Sequence, residues 1–261
     1  MLPSRILTRA SLSPFTRLAS THFGFEEVAE EEKAGKVRKV FSGVADKYDV
    51  MNDAMSMGIH RLWKDYFVQT LPIRNDAHIV DVAGGTGDIA VRHVKRHSRA
   101  KVTVCDINED MLRVGEERAT KEGIQSYRLE WIVGDGENLP FDDNSFNAYT
   151  ISFGIRNCTH VDKVLKEAHR VLKPGGLFAC LEFSNIHPTL KPVYDLYSFQ
   201  VIPVMGEILA KDYNSYKYLV ESIRKFPGQV EFSQMITDAG LRCVRYENLS
   251  FGICAIHTAR K

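Results

Sequence analysis

"HIVDVAGGTGDIAVRHVKRHS", residues 78–98, decides the fold of this 261-residue chain. Its first six residues are an apolar run broken by Asp81, the reading expected of a buried strand. Three glycines follow (Gly84, Gly85, Gly87), then Asp88 opens an amphipathic stretch that reads as a helix. The same alternation continues downstream. "KVTVCD" (101–106), "RLEWIV" (128–133), "NAYTISF" (147–153) and "GLFACLEFS" (176–184) read as further buried strands. Helical patterns separate them: Ile107, Met111 and Val114 fall on one face of residues 107–123. Val161, Val164, Leu165, Ala168 and Val171 form a stripe that Pro174 and Gly175 are expected to end. A last helix is expected over 231–240, then two strands, 241–250 and 251–259, joined by a tight turn. Strands alternating with helices give an α/β fold with a mostly parallel sheet of seven strands covered by helices on both faces. The closing strand pair must be antiparallel, so one strand near the edge is reversed. Ligands of such sheets lie beyond the carboxyl ends of the strands, where the glycine turn is.

The rest of the chain sets limits. Lys plus Arg is 34 and Asp plus Glu is 33, so no basic field points to nucleic acid. No apolar run approaches the ~20 residues of a membrane span. The five cysteines (Cys105, Cys158, Cys180, Cys243, Cys254) have no metal-ligand spacing and read as free thiols, most of them buried. No metal site is expected. Residues 1–25 carry Arg5, Arg9 and Arg17, many Ser and Thr, and no acidic residue, the composition of a mitochondrial transit peptide. The charge run 26–36 reads as a solvated link or helix start, and residues 26–261 as one domain.

The glycine turn has two readings. Gly85-Thr86-Gly87-Asp88-Ile89-Ala90 satisfies G-x-G-x-x-A, the dinucleotide fingerprint, and Asp106 stands near the distance expected of a ribose-binding acid. A nicotinamide coenzyme would lay a diphosphate on the helix N-terminus. Asp81 and Asp88 flank that place and Asp135 lies after the third strand. One carboxylate ~5 Å from a phosphate costs about 3 kcal/mol at an effective dielectric near 20. S-adenosylmethionine, with a sulfonium, an α-ammonium and no phosphate, suits these residues better. Asp81 and the loop residues Gly85, Thr86 and Gly87 would meet its methionine end. Asp106 would accept the ribose hydroxyls, Asp135 the adenine amine, Gly136 would permit close approach, and Ser152 would lie beneath the cofactor.

"YDVMNDAMSMGIHRLWK" (48–64), "VDVAGGTGD" (80–88), "FGIRNCTH" (153–160) and "RVLKPGGLFACLEFS" (170–184) together resemble the signatures of the ubiquinone and menaquinone C-methyltransferases, a class I, Rossmann-like family. The resemblance runs from about residue 38 to the end. It implies binding positions at Thr86, Asp106, Asp135 with Gly136, and Ser152. It also implies methylation of a ring carbon of a methoxylated polyprenyl benzoquinol in ubiquinone biosynthesis. Asn147 departs from the family, which usually has Asp there. An aromatic carbon becomes nucleophilic when the adjacent phenol loses its proton, so deprotonation and phenoxide stabilisation are needed. Arg156, Asn157 and Tyr48 are the catalytic candidates. His60 and Arg61 are expected to close over the cofactor or lie on a helix surface. Met51, Met55, Met57 and Trp63 read as core packing or a quinone slot.

Residues 185–228 exceed an ordinary crossover and are strongly apolar. A substrate lid, a homodimer face and a docking surface for a polyprenyl tail all remain open. Contact with the mitochondrial inner membrane, from its matrix side, would be peripheral, directly or through other ubiquinone-biosynthesis enzymes in a multi-subunit complex. Two rival functions are an NAD-dependent dehydrogenase and a noncatalytic scaffold of such a complex.

Overall fold

The computed structural model describes residues 19–44 and 48–261, so residues 1–18 of the expected leader lie outside the described residues. Two short strands, β1 (Ser20–Phe23) and β2 (Glu26–Ala29), form an antiparallel hairpin. The charge run therefore begins as a strand, and the hairpin crosses the boundary expected at residue 25. Three helices follow: α1 (Glu30–Val44), α2 (Tyr48–Ser56) and α3 (Ile59–Thr70).

Then come β3 (His78–Val82), α4 (Asp88–Arg96), β4 (Lys101–Asp106), α5 (Glu109–Lys121), β5 (Leu129–Val133) and β6 (Phe146–Ser152). α6 (Val161–Val171) leads to β7 (Leu172–Phe183), and α7 (Lys191–Leu196) passes through a π-helical turn into α8 (Ile202–Ala210). α9 (Tyr213–Lys225), α10 (Gln229–Asp238), β8 (Arg242–Leu249) and β9 (Cys254–Arg260) complete the chain. The seven strands from β3 onward form one sheet in the order β5-β4-β3-β6-β7-β9-β8. β9 is antiparallel to both neighbours and the remaining pairs are parallel, so the one reversed strand sits just inside the edge.

Alternation along β3 splits the core. Ile79 faces a cluster with Trp63, Phe67 and Val68 of α3, Ile89, Ala90 and Val94 of α4, and Leu112 of α5. Val80 and Val82 face the other way, onto Val164, Leu165, Ala168 and Val171 of α6 and Phe232 and Ile236 of α10. Both faces of the sheet are thus dry, as a parallel sheet requires. Residues 185–228 form a third group: Ile202, Tyr216 and Val220 pack on Met55 of α2.

Two local expectations need correction. The α6 helix stops at Val171, and Pro174 and Gly175 lie inside β7, where the register against β6 shifts. The prolyl nitrogen has no hydrogen to donate, and the bulge is where a strand tolerates that. Ile107 lies before α5, is 42% exposed, and is not on its buried face. Asn108 caps that helix, accepting from the amides of Asp110 and Met111. Cys105, Cys180 and Cys254 are buried, Cys158 is half-buried and Cys243 exposed, all as free thiols. Asn147 accepts from the His78 amide at 2.9 Å, tying β6 to the start of β3.

Gly87 precedes α4 in a left-handed conformation (φ 72°), and a Cβ there would lie 2.5 Å from the Trp131 ring. Left-handed strain and overpacking each cost about 1–3 kcal/mol. Gly87→Ala is expected to lower stability by about 3 kcal/mol in urea unfolding; a loss within experimental error would show that the turn has another conformation open to it.

Candidate active site

A cavity of about 450 Å³ opens at the carboxyl ends of β3, β4, β5 and β6. Asp81, Gly85, Thr86, Asp106, Asp135, Gly136 and Ser152 all line it. Gly87 does not; it is buried over Trp131 and shapes the turn. The cavity is roofed by Ala34, Val37, Arg38 and Phe41 of α1; the helix start expected within 26–36 is there, and of these four Ala34 alone belongs to that charge run. Lys33 donates to the Cys158 carbonyl at 2.8 Å, and His160 bridges Glu137 (2.7 Å) and Glu30 (3.1 Å). These contacts pin the roof to the loop after β6.

Asp81 is 1% exposed. Its Oδ1 accepts from the Thr150 hydroxyl at 2.7 Å, and its Oδ2 is buried without a partner. Burial raises its pKa to about 7 against the opposing Thr150 hydrogen bond, and the charges of Asp88 and Asp106 add to the rise. Asp106 is organised by the backbone. Its Oδ2 accepts from the Gly85 amide and its Oδ1 from the Asn108 amide, both at 2.8 Å. Burial pushes this carboxyl up as well. Asp135 accepts from the Glu137 amide at 2.9 Å. The Ser152 Oγ is buried without a partner.

Asp88 does not act as the repulsive charge expected of it. Lys64, a buried residue of α3, donates to its Oδ2 at 2.8 Å, and Arg92 approaches Oδ1 at 3.3 Å. The preference against a diphosphate therefore rests on Asp81, Asp106 and Asp135. The orphaned Asp81 oxygen fits a cationic methyl donor: an ammonium beside it would supply the missing hydrogen bonds and stabilise the carboxylate.

A second cavity, of about 290 Å³, adjoins the first and shares Phe41, Lys64 and Phe153 with it. Its lining is mostly apolar and aromatic, with Met55, Met57, Trp63, Phe183, Ile202 and Ile253 beside Tyr194, Tyr197, Tyr216 and Tyr218. The two readings of the methionine and tryptophan group thus combine, since buried Met55 and Trp63 both pack the core and line a slot. The side chains of Met51 and Tyr48 lie outside the described residues.

Arg156 and Asn157 straddle the partition. Arg156 lines the apolar cavity and Asn157 the acidic one. Arg156 Nη1 donates to Glu182 Oε1 at 2.9 Å and to the Phe153 carbonyl, and the guanidinium lies over the Phe183 ring. Its Nε is buried without a partner. Glu182 is fully buried, which pushes its carboxyl up, and Arg156 opposes that rise. Asn157 Oδ1 accepts from the Tyr218 hydroxyl at 2.9 Å. His60 is buried on the apolar cavity's wall rather than over the cofactor cavity. Arg61 is paired with Asp53. Sequence reasoning missed the α1 roof, Lys64 and Glu182; the contacts span up to 130 residues, and no local spacing signals them.

The model of the ubiE/COQ5 methyltransferase family matches residues 27–261. The chain is 60% identical over 242 residues to a Caenorhabditis elegans protein named 2-methoxy-6-polyprenyl-1,4-benzoquinol methylase, mitochondrial, covering 92% of this chain and 85% of that one. Over 294 residues it is 51% identical to the human protein of the same name, covering 99% and 90%. Among solved structures it is similar in fold to a SAM-dependent methyltransferase from Aquifex aeolicus, with a TM-score of 0.55, 18% identity, and coverage of 76% and 88%.

If the buried Asp81 meets the donor's cation, cofactor binding is expected to depend on pH. An adjacent cation favours the ionised carboxylate, so binding below pH ~7 must expel its proton. Affinity for S-adenosylmethionine is expected to rise with pH up to about 7 and then level. Calorimetry in buffers of different ionisation heat would register the released proton at pH 6 and none from Asp81 at pH 8.5. The unfolded carboxyl titrates near ~4 and the folded one at about 7, so cofactor-free protein loses stability as pH climbs between them. Asp81→Asn should remove that loss in thermal unfolding while weakening cofactor binding about 100-fold, the size expected for a buried charged contact.

Proposed function

The chain belongs to the ubiE/COQ5 methyltransferase family, and from that membership we propose that it methylates a ring carbon of 2-methoxy-6-polyprenyl-1,4-benzoquinol in ubiquinone biosynthesis. S-adenosylmethionine is its methyl donor. The observation that carries the substrate reading is the pairing of cavities. An aromatic, apolar slot lies against an acidic cofactor site, with Phe153 and Lys64 common to both. A flat, greasy ring fits the first and a sulfonium-bearing donor the second. A nicotinamide coenzyme is disfavoured by the three carboxylates at the strand ends. A noncatalytic scaffold would have no need of a buried guanidinium in the slot.

When bound, the donor supplies an electrophilic methyl group on a positively charged sulfur. The chain's own residues have three tasks. Asp81, Asp106, Asp135 and Ser152 hold the donor, with Gly85, Thr86 and Gly136 giving its backbone-lined bed. The aromatic walls exclude water and align the ring for in-line attack. Arg156 stabilises the phenoxide. Its charge is permanent, Glu182 and the Phe153 carbonyl fix its plane, and its Nε has a donor to spare. Asn157, held by Tyr218, orients the loop between ring and donor. Tyr48, at the start of α2, is proposed to close over them.

The chain is further proposed to act in the mitochondrion, on the matrix side of the inner membrane. Residues 1–25 serve as the import signal, and N-terminal sequencing from the native cell should find Met1 absent. Val193 and Leu196 of α7 and Val204 and Ile208 of α8 are exposed apolar residues of the segment covering the slot. Among the described residues no helix is long and apolar enough to cross a membrane. This face is proposed to make peripheral contact with the bilayer that holds the polyprenyl tail. Partner enzymes of a multi-subunit complex, or a second copy in a homodimer, are proposed to share the surface around it.

The direct test is turnover of a short-tailed 2-methoxy-6-prenyl-1,4-benzoquinol with methyl-labelled donor. Label on a ring carbon is the expected result, and no transfer to any quinol overturns the reading. Arg156→Met combined with Glu182→Gln, which avoids an unpaired buried charge, should lower kcat about 10²–10³-fold and leave donor affinity unchanged. Near-normal kcat would remove Arg156 from the mechanism.

A further inference from the structure

The proposed reaction needs a proton acceptor that a permanently charged guanidinium cannot provide. The turn between α2 and α3 supplies one. Met57 (φ 51°) and Gly58 (φ 75°) are both left-handed and fold α3 back on α2, so Asp53 meets two residues of the next helix. Arg61 grips it with Nε at 2.6 Å to Oδ1 and Nη2 at 2.8 Å to Oδ2. His60 Nε2 lies 2.9 Å from the same Oδ1. The hydrogen bonds from Arg61 and His60 hold the Asp53 carboxyl far below the usual range, so it is an acceptor only. The shared hydrogen must then reside on His60 Nε2, which leaves the lone pair on Nδ1. That nitrogen is buried without a partner, on a ring that lines the apolar cavity.

The charges around this ring are accounted for. Asp53 comes from α2, Lys64 from α3 and Asp88 from α4. Burial and Lys64 lower the imidazole's pKa more than Asp53 and Asp88 raise it, so the ring is neutral and ready to accept. Other polar groups of the cavity are engaged or kept protonated. Tyr218 donates to Asn157 and Tyr197 to the Met55 carbonyl, and burial pushes the Tyr194 phenol up. His60 is the one imidazole among the described residues lining the slot.

We propose that His60 Nδ1 takes the phenolic proton of the substrate, with Asp53 as the positioning residue that fixes its tautomer and Arg61 locking Asp53. The inference rests on the quinol reading above and adds to it the identity of the base. The O–H bond breaks as N–H forms. The oxygen's electron pair moves into the ring, the ortho carbon bonds to the methyl group, and the C–S bond breaks with its pair left on a neutral thioether. The ring carbon then loses its hydrogen as a proton, and the oxygen regains one from the imidazolium. One proton is released overall.

The test has a readout that requires no turnover. 2-Methoxy-4-nitrophenol, whose phenoxide is coloured, is titrated on the cofactor-free protein. Wild type should bind it with an apparent pKa at least one unit below that of His60→Gln. In turnover of the short-tailed quinol, His60→Gln should lose about 10²–10⁴-fold in kcat with donor affinity unchanged, and added imidazole should partly restore His60→Ala. Asp53→Asn keeps the imidazole but removes the group that raises its pKa, so the acid limb of its kcat profile should move to lower pH. That variant carries the test if His60→Gln fails to fold. A wild-type enzyme that methylates quinol, with His60→Gln matching it in rate and in phenol titration, would place the base elsewhere and leave the reaction standing. An unmoved acid limb in Asp53→Asn would likewise overturn the proposal. A wild type that methylates no quinol would sink both readings together.

Discussion

At the carboxyl end of the central strand a carboxylate is held almost entirely out of water with one of its two oxygens unpartnered. An isolated buried anion of this kind is costly, and the protein meets the cost in part by letting Asp81 hold a proton near neutrality. The fold needs nothing there that Asn could not provide, since among the described residues Thr150 supplies the only hydrogen bond to that side chain. A group that burdens the empty protein becomes an asset when a cation arrives. Such an unsatisfied carboxylate suits a positively charged donor, and in the proposed binding mode the neutral thioether left after methyl transfer would be held with less charge attraction than the sulfonium.

The rest of the site is arranged so that the cavity holding that carboxylate and the apolar cavity are apart yet adjacent. β6 ends in Ser152 on the donor side. The backbone then passes Phe153, which belongs to both cavities, and places Arg156 and Asn157 on opposite sides of the partition. Lys64 also touches both cavities, and its pairing with Asp88 fastens α3 to the helix that leaves the glycine turn. In the proposed reaction, substrate ring and donor would therefore be positioned by neighbouring residues of one loop and one helix pair. Such short connections to the rigid sheet are what reactions dependent on alignment require.

Much of this was readable along the chain because buried parallel strands announce themselves as short apolar runs. Residues at their carboxyl ends must converge once the sheet forms. Asp81, Asp106, Asp135 and Ser152 come from four strands or the turns after them, and the strand order alone carries them to one cavity. The pairings were hidden. Asp88 reads as an uncompensated charge until α3 lays Lys64 beside it, and that the carboxylate beside Arg156 is Glu182 emerges only when β7 brings it up. The charge run 26–36 reads as a solvated link or helix start; the helix forms, and its inner side, continuing through Val37, Arg38 and Phe41, roofs the acidic cavity. Pro174 and Gly175, the usual signs of a helix stop, sit within a bulged strand, where pairing overrides local preference.

The amino-acid order by itself determined the α/β class, the position of the glycine turn and the acidic character of the strand ends, since these follow from periodicity and from residues a few positions apart. Only the tertiary structure decided which charges remain unpaired, where the apolar slot lies, and that His60 is turned inward with one nitrogen anchored and the other buried without a partner. Those properties depend on groups far apart in the chain, and burial, which sets the strength of every charge here, exists only once the layers have closed.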